Sequence, residues 1–111
     1  MANCICELQP TALWKNFYNL CQVPHPSHHL EAITKLIVDF GKGLGLETIV
    51  DKAGNVLIRK PATPGMENVT PVILQAHMDM VPQKNNDKVH NFETDPIETI
   101  IDGDWVHVDV E

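Results

Sequence analysis

Between Phe40 and Leu46 the apolar residues of this chain change period, and a chain that passes from helical to extended spacing in that order has few architectures open to it. Before the switch, Leu13, Trp14, Phe17, Leu20 and Cys21, and then Leu30, Ile33, Ile37, Phe40 and Leu44, recur at three- and four-residue intervals, the spacing of one buried helical face. Helices are predicted at about 10–21 and 28–42, with Ser27 as N-cap of the second and Gly41, Gly43 and Gly45 at its end. After the switch, Ile49-Val50 and Val56-Ile58 flank a Gly54-Asn55 turn, which reads as a hairpin within Leu46 to Lys60. Pro61 to Asn68 is a loop by its prolines and glycine, and Pro71 to Ala76 is an apolar run of the kind buried on both faces of a sheet, ending at His77. A polar, irregular stretch from Val81 to Pro96 leads to a second hairpin, Ile97–Ile101 and Trp105–Val110 around Asp102-Gly103-Asp104. Helices ahead of strands, with one buried central strand, point to an α/β layer arrangement in which helices cover a mixed sheet.

One domain suits 111 residues, and 43% hydrophobic with 21% charged residues is an ordinary globular composition. Residues 1–9 carry no periodic pattern and are expected to fray; Trp14 and Phe17 are expected in the core. The formal net charge is −7 and no stretch concentrates Lys and Arg, so nucleic acid is not an expected partner. Apolar runs such as Val72-Ile73-Leu74 fall far short of the roughly 20 residues that cross a bilayer, and the first twenty residues lack the pattern of a secretory leader. The expectation is a cytoplasmic protein with no membrane partner. No second pair follows Cys4-x-Cys6 to complete a metal site, and Cys4, Cys6 and Cys21 are read as reduced thiols, since small secreted disulfide scaffolds carry many more cysteines.

The residues that carry chemistry are His77 and Asp79. They follow directly on the buried run, and in open α/β sheets ligands gather at the carboxyl ends of strands. In extended backbone, residues two apart project to the same side, which places Asp79 beside His77 and turns Met78 into the core. A carboxylate on one ring nitrogen fixes the tautomer and raises the basicity of the other as a metal ligand. By itself His-x-Asp is a weak signal, because a solvent-facing His before a turn-forming Asp spells the same letters.

The surrounding text adds to it. V-P-H-P-S at 23–27, G-N-V-L-I-R-K-P-A-T-P-G-M-E-N at 54–68 and L-Q-A-H-M-D-M-V-P-Q-K-N-N-D at 74–87, in that order, closely resemble the start of the aminoacyl-histidine (Xaa-His) dipeptidases, within the broad metallopeptidase family that includes aminoacylases and carnosinases. The likeness runs from about Leu8 to Val106. It implies the amino-terminal portion of a catalytic domain built as a three-layer α/β/α sandwich, which holds two zinc ions and hydrolyses dipeptides with a preferred carboxyl-terminal histidine. It implies further that His77 ligates one zinc and that Asp79 is the active-site aspartate orienting it. The chemistry expected is attack of metal-activated water on the peptide carbonyl.

The likeness also implies what is missing. In the family a Gly-rich segment with the metal-bridging Asp follows soon after the position of Val106, and the general-base Glu, further carboxylate ligands and a last His come much later; here the chain reads His107-Val108-Asp109-Val110-Glu111 and ends. The expectation is a truncated product, its site present in part and inactive alone, since a catalytic zinc takes about three protein ligands. A competing expectation is a non-catalytic module that forms homo-oligomers or binds a partner through exposed strand edges. His25, His28 and His29 are read as a turn and a solvated helical start, not as an accessory metal site, and His90 and His107 as surface residues. Asp51, Asp87, Asp95, Asp102 and Asp104 adjoin turn-forming residues and are read as turn formers.

Overall fold

Pro10 caps the first helix because it lacks the N–H that a helix start leaves unused. In the computed structural model, which describes residues 3–108, helix α1 runs Thr11–Gln22 and stops as the prolines at 24 and 26 approach. From Asn3 onward the leader is drawn onto the fold. Its residues Ile5–Glu7 form a 3₁₀ turn packed on α1, and Ile5 is only 2% exposed. The apolar side chain at position 5 found a partner in α1, which a search for local periodicity could not register. Nor are all three thiols reduced: Cys4 and Cys6, with Cα atoms 5.2 Å apart and so within bridging range, are joined as a disulfide, and Cys21 alone is a free, buried thiol.

Helix α2 is Glu31–Gly43, with Glu31 in its first turn and Lys42 in its last, each favourable to the helix dipole. It begins three residues later than the pattern predicts. His28 takes a left-handed backbone (φ 73), which no helical turn admits, and Ser27 is not its cap. At the other end Gly45 (φ 72) donates its N–H to the Lys42 carbonyl and Leu46 donates to Gly41, the paired bonds of a Schellman ending. The chain then enters the antiparallel hairpin β1 (Glu47–Val50) and β2 (Val56–Arg59), in register Val50 opposite Val56. Asp51 builds the connecting turn: one carboxylate oxygen accepts from the N–H groups of Ala53 (2.9 Å) and Asn55 (2.8 Å), the other from the Asn55 side-chain amide (2.9 Å). Helix α2 lies on this hairpin at Gly41, where an added Cβ would overlap the Thr48 hydroxyl and stand 3.0 Å from Ile58.

The second hairpin is β3 (Thr99–Asp102) and β4 (Trp105–Val108), with Gly103 (φ 58) at the first loop position that a II′ turn reserves for glycine. Its predicted extension to Val110 passes outside the described residues.

Two expectations fail together. The described residues hold two separate two-stranded antiparallel sheets instead of a mixed sheet, and Pro71–Ala76 is no buried strand: it pairs with nothing, and Val72, Ile73 and Leu74 are 81%, 86% and 93% exposed. A strand hidden on both faces needs neighbours on two edges and a layer above and below. Both local hairpins close on themselves and leave this run outside. Trp14 and Phe17 meet edge to face (centroids 5.9 Å apart), yet Phe17 remains 43% exposed and the buried apolar side chains are Ile5, Cys21 and Ile33. The radius of gyration, 16.8 Å, exceeds the roughly 13 Å of a compact domain of this length. Much of the apolar surface that the sequence marks for a core therefore faces solvent.

Candidate functional site

Segment 77–80 is held against the Val23–Ser27 turn by backbone bonds. The Met80 N–H donates to the His25 carbonyl (2.9 Å) and the Ser27 N–H to the Met80 carbonyl (3.0 Å), making a single parallel bridge between Pro26 and Met80. His25 is buried, its Nδ1 2.6 Å from the Val23 carbonyl oxygen, so the turn that receives the segment is itself pinned.

On this anchor His77 and Asp79 come together. His77 Nδ1 lies 2.8 Å from the Asp79 carbonyl oxygen and 3.1 Å from carboxylate Oδ1, while the ring is 81% exposed and its Nε2 faces no protein partner among the described residues. The second carboxylate oxygen, Oδ2, accepts a 2.6 Å hydrogen bond from the Ser27 hydroxyl. That hydroxyl is the chief cause holding the Asp79 carboxyl below the ordinary carboxylate range; partial desolvation opposes it, and the Asp79 backbone N–H and the His77 ring add to it. Asp79 is thus anionic at neutral pH, and a neutral His77 presents its proton on Nδ1 and a lone pair on Nε2. That is the donor a divalent cation takes from imidazole. Met78 is half-buried.

The fit to a metal stops at one donor. Among the described residues no group of three or more His, Cys, Asp and Glu side chains is placed to hold an ion. His25 turns its Nδ1 to backbone, His29 reaches Glu93 (3.4 Å), His90 stacks edge-on against Phe92, and His107 approaches Asp102 (3.9 Å), so these four histidines do not converge on His77. Beside the site a cavity of about 410 Å³ opens between Pro24–Pro26, Met80–Val81 and the 83–98 segment, with Lys84, Asp95 and Glu98 on its wall. Asp95 accepts from the Asn91 N–H (2.8 Å), the turn role that its sequence neighbours suggest.

Ser27 is the site residue that pattern reading assigned elsewhere. A serine after Pro26 and ahead of an apolar helical period looks like an N-cap, and nothing local reveals a partner 52 positions away.

No protein-family model matches the chain. Over 100 residues, 90% of its length, it is 56% identical to the cytosol non-specific dipeptidase of Escherichia coli (strain K12). It superimposes with a TM-score of 0.90 over 95% of its length, at 51% identity, on the crystal structure of the aminoacylhistidine dipeptidase from Vibrio alginolyticus. The chain belongs to the aminoacyl-histidine dipeptidase family. It spans 21% of the length of each of these two dipeptidases, so what it shares with them is one portion of a longer peptidase. Among the described residues no helix is long and apolar enough to cross a membrane, and the Escherichia coli dipeptidase is named for the cytosol.

Proposed function

We propose that this chain is the amino-terminal part of a cytoplasmic zinc-dependent dipeptidase that hydrolyses Xaa-His dipeptides, and that alone it turns over no substrate. The observation that carries the reading is the His77 ring, held at Nδ1 by Asp79 and open at Nε2, in a chain 56% identical to a dipeptidase. In the whole enzyme His77 is a ligand of one of two zinc ions, and Asp79 fixes the ring's tautomer and direction. Zinc, when bound, lowers the pKa of water and polarises the scissile carbonyl. The chain's own part is to hold one imidazole outward from a pinned turn and to keep its other nitrogen occupied. Since a catalytic zinc takes about three protein ligands and this portion offers one, the isolated chain binds zinc weakly. The three-layer α/β/α sandwich belongs to the same proposal, with Pro71–Ala76 as an inner strand once neighbours flank it.

The test is a hybrid in which this chain replaces its matching segment in the Escherichia coli dipeptidase. The hybrid is expected to hydrolyse an Xaa-His dipeptide, and His77→Ala to abolish that hydrolysis along with most bound zinc; the 111-residue chain with added zinc or cobalt is expected to show none. Full activity in the His77→Ala hybrid would overturn the reading. A second reading, self-association of the isolated chain, is favoured by the exposure of Val72, Ile73 and Leu74.

A further inference from the structure

Resting on the reading of His77 as a zinc ligand, we infer that Ser27 is a positioning residue of the site: its hydroxyl locks the Asp79 carboxylate in the rotamer that keeps Oδ1 on His77 Nδ1, and so aims Nε2 at the cation.

Packing does not aim the His77 ring, which is 81% exposed. Its direction rests on polar contacts to Asp79, and the carboxylate itself is 38% exposed, with a terminal torsion that is broad and two-fold when nothing holds it. Ser27 supplies that hold. At 2.6 Å its hydroxyl–Oδ2 bond has the length of a charge-assisted O–H···O⁻ bond, and it uses the oxygen that His77 does not. The hydroxyl has one weaker alternative, the Met80 carbonyl at 3.4 Å, which leaves the carboxylate as its main acceptor.

The serine is placed before it acts. The Ser27 N–H to Met80 carbonyl bond (3.0 Å) and the Met80 N–H to His25 carbonyl bond (2.9 Å) set the two segments face to face without the side chain. Removing the hydroxyl therefore frees the carboxylate while leaving the backbone bridge. The order of action is turn, serine, carboxylate, imidazole. It also gives the Val23–Ser27 block a purpose that a helix cap would not: the block sits far from Asp79 and Met80 in sequence and against them in space.

Two readouts test this, one of them independent of activity. In the ¹⁵N-labelled chain, two-bond ¹H–¹⁵N correlation spectra report the His77 tautomer. The Nδ1–H form should dominate, and Ser27→Ala should lower its ratio to the Nε2–H form by about 2- to 10-fold, the equivalent of one hydrogen bond's net worth. Ser27→Thr, which keeps the hydroxyl, should restore the parental ratio. An unchanged ratio in Ser27→Ala would mean that the Asp79 backbone carbonyl alone orients the ring, and the inference would fail. In the Escherichia coli hybrid, where the remaining chain supports the fold, Ser27→Ala should weaken zinc affinity about 10-fold in a chelator competition and lower kcat with little change in KM, again with rescue by threonine. Parental zinc affinity in Ser27→Ala, in a hybrid that His77→Ala inactivates, would remove the role of Ser27 and leave the zinc reading standing. Activity that survives His77→Ala would remove both.

Discussion

Helix α2 with the β1–β2 hairpin, and the run from Pro71 to Ala76, are both rich in apolar residues, yet one has a buried interior face and the other has none. In the first, Ile33 is 1% exposed and Gly41 is buried against Thr48 and Ile58; in the second, Ile73 is 86% exposed. The difference lies in where each finds its partners. Helix α2 ends in a Schellman turn that delivers the chain straight into the hairpin it lies on, so the helix–hairpin contacts are made within about thirty residues. The apolar run has no partner close in sequence and is tied down at one end only, by the bridge at Met80. Local closure makes a structural unit, and the run before His77 has none among the described residues.

The same substitution at two positions measures that difference. Ile33→Ala is expected to destabilise the chain by about 2–5 kcal/mol, the usual range for a fully buried isoleucine. Ile73→Ala is expected to change stability by less than about 0.5 kcal/mol, as at an exposed surface site. Urea unfolding followed by far-ultraviolet circular dichroism gives both numbers. Amide exchange sharpens them: if Ile33→Ala lowers protection of the β1–β2 amides but spares those of Ser27 and Met80, the two regions are separate cooperative units. Equal loss at both would make them one unit and break the comparison.

The contrast also explains what could be read in advance. Both α1 and the two hairpins were legible because their signals are local: period, flanking prolines and turn residues fall within a dozen positions. The proximity of His77 and Asp79 was legible for the same reason, being a matter of residues two apart. Burial of Pro71–Ala76 was an inference from composition to environment, and environment is not local. Ile5 and Ser27 were misjudged in the same way. An apolar residue in a polar leader and a serine before a helix each look complete in their own neighbourhood, and their partners are α1 and a carboxylate 52 positions on. The delayed start of α2 follows, since the turn that offers Ser27 to Asp79 uses the residues a longer helix would have taken.

A smaller effect is expected in solution at the bare run. Val69 to Ala76 carries no charge to keep copies apart, and an unpaired extended segment is a template for another. Light scattering of the isolated chain at rising concentration is expected to show association that Ile73→Lys suppresses. A parental chain that stays monomeric at high concentration would show that the net charge of −7 outweighs the exposed edge.

The smallest effect belongs to the packed region and separates its turn from its core. The Asp51 carboxyl is held below its ordinary pKa chiefly by the Asn55 side-chain amide, then by the Asn55 backbone N–H, with smaller help from Ala53 and Gly54. A carboxyl with a depressed folded-state pKa contributes stability that is full above its unfolded value, about 3.9, and is lost as pH falls through the lower folded value. Asp51→Ala should therefore lower the melting temperature slightly at pH 7, and the gap to the parent chain should close as both approach pH 2. Glu67 and Asp79 share the same direction of shift, so the parent's acid sensitivity mixes three groups, but the difference between parent and variant isolates Asp51. A gap that stays constant to pH 2 would mean that the turn is set by Gly54 (φ 92) and the Asp51–Asn55 backbone bond without the carboxylate's charge. A closing gap assigns the hairpin's register to an ionised side chain in its own loop, the kind of local device that the run before His77 lacks.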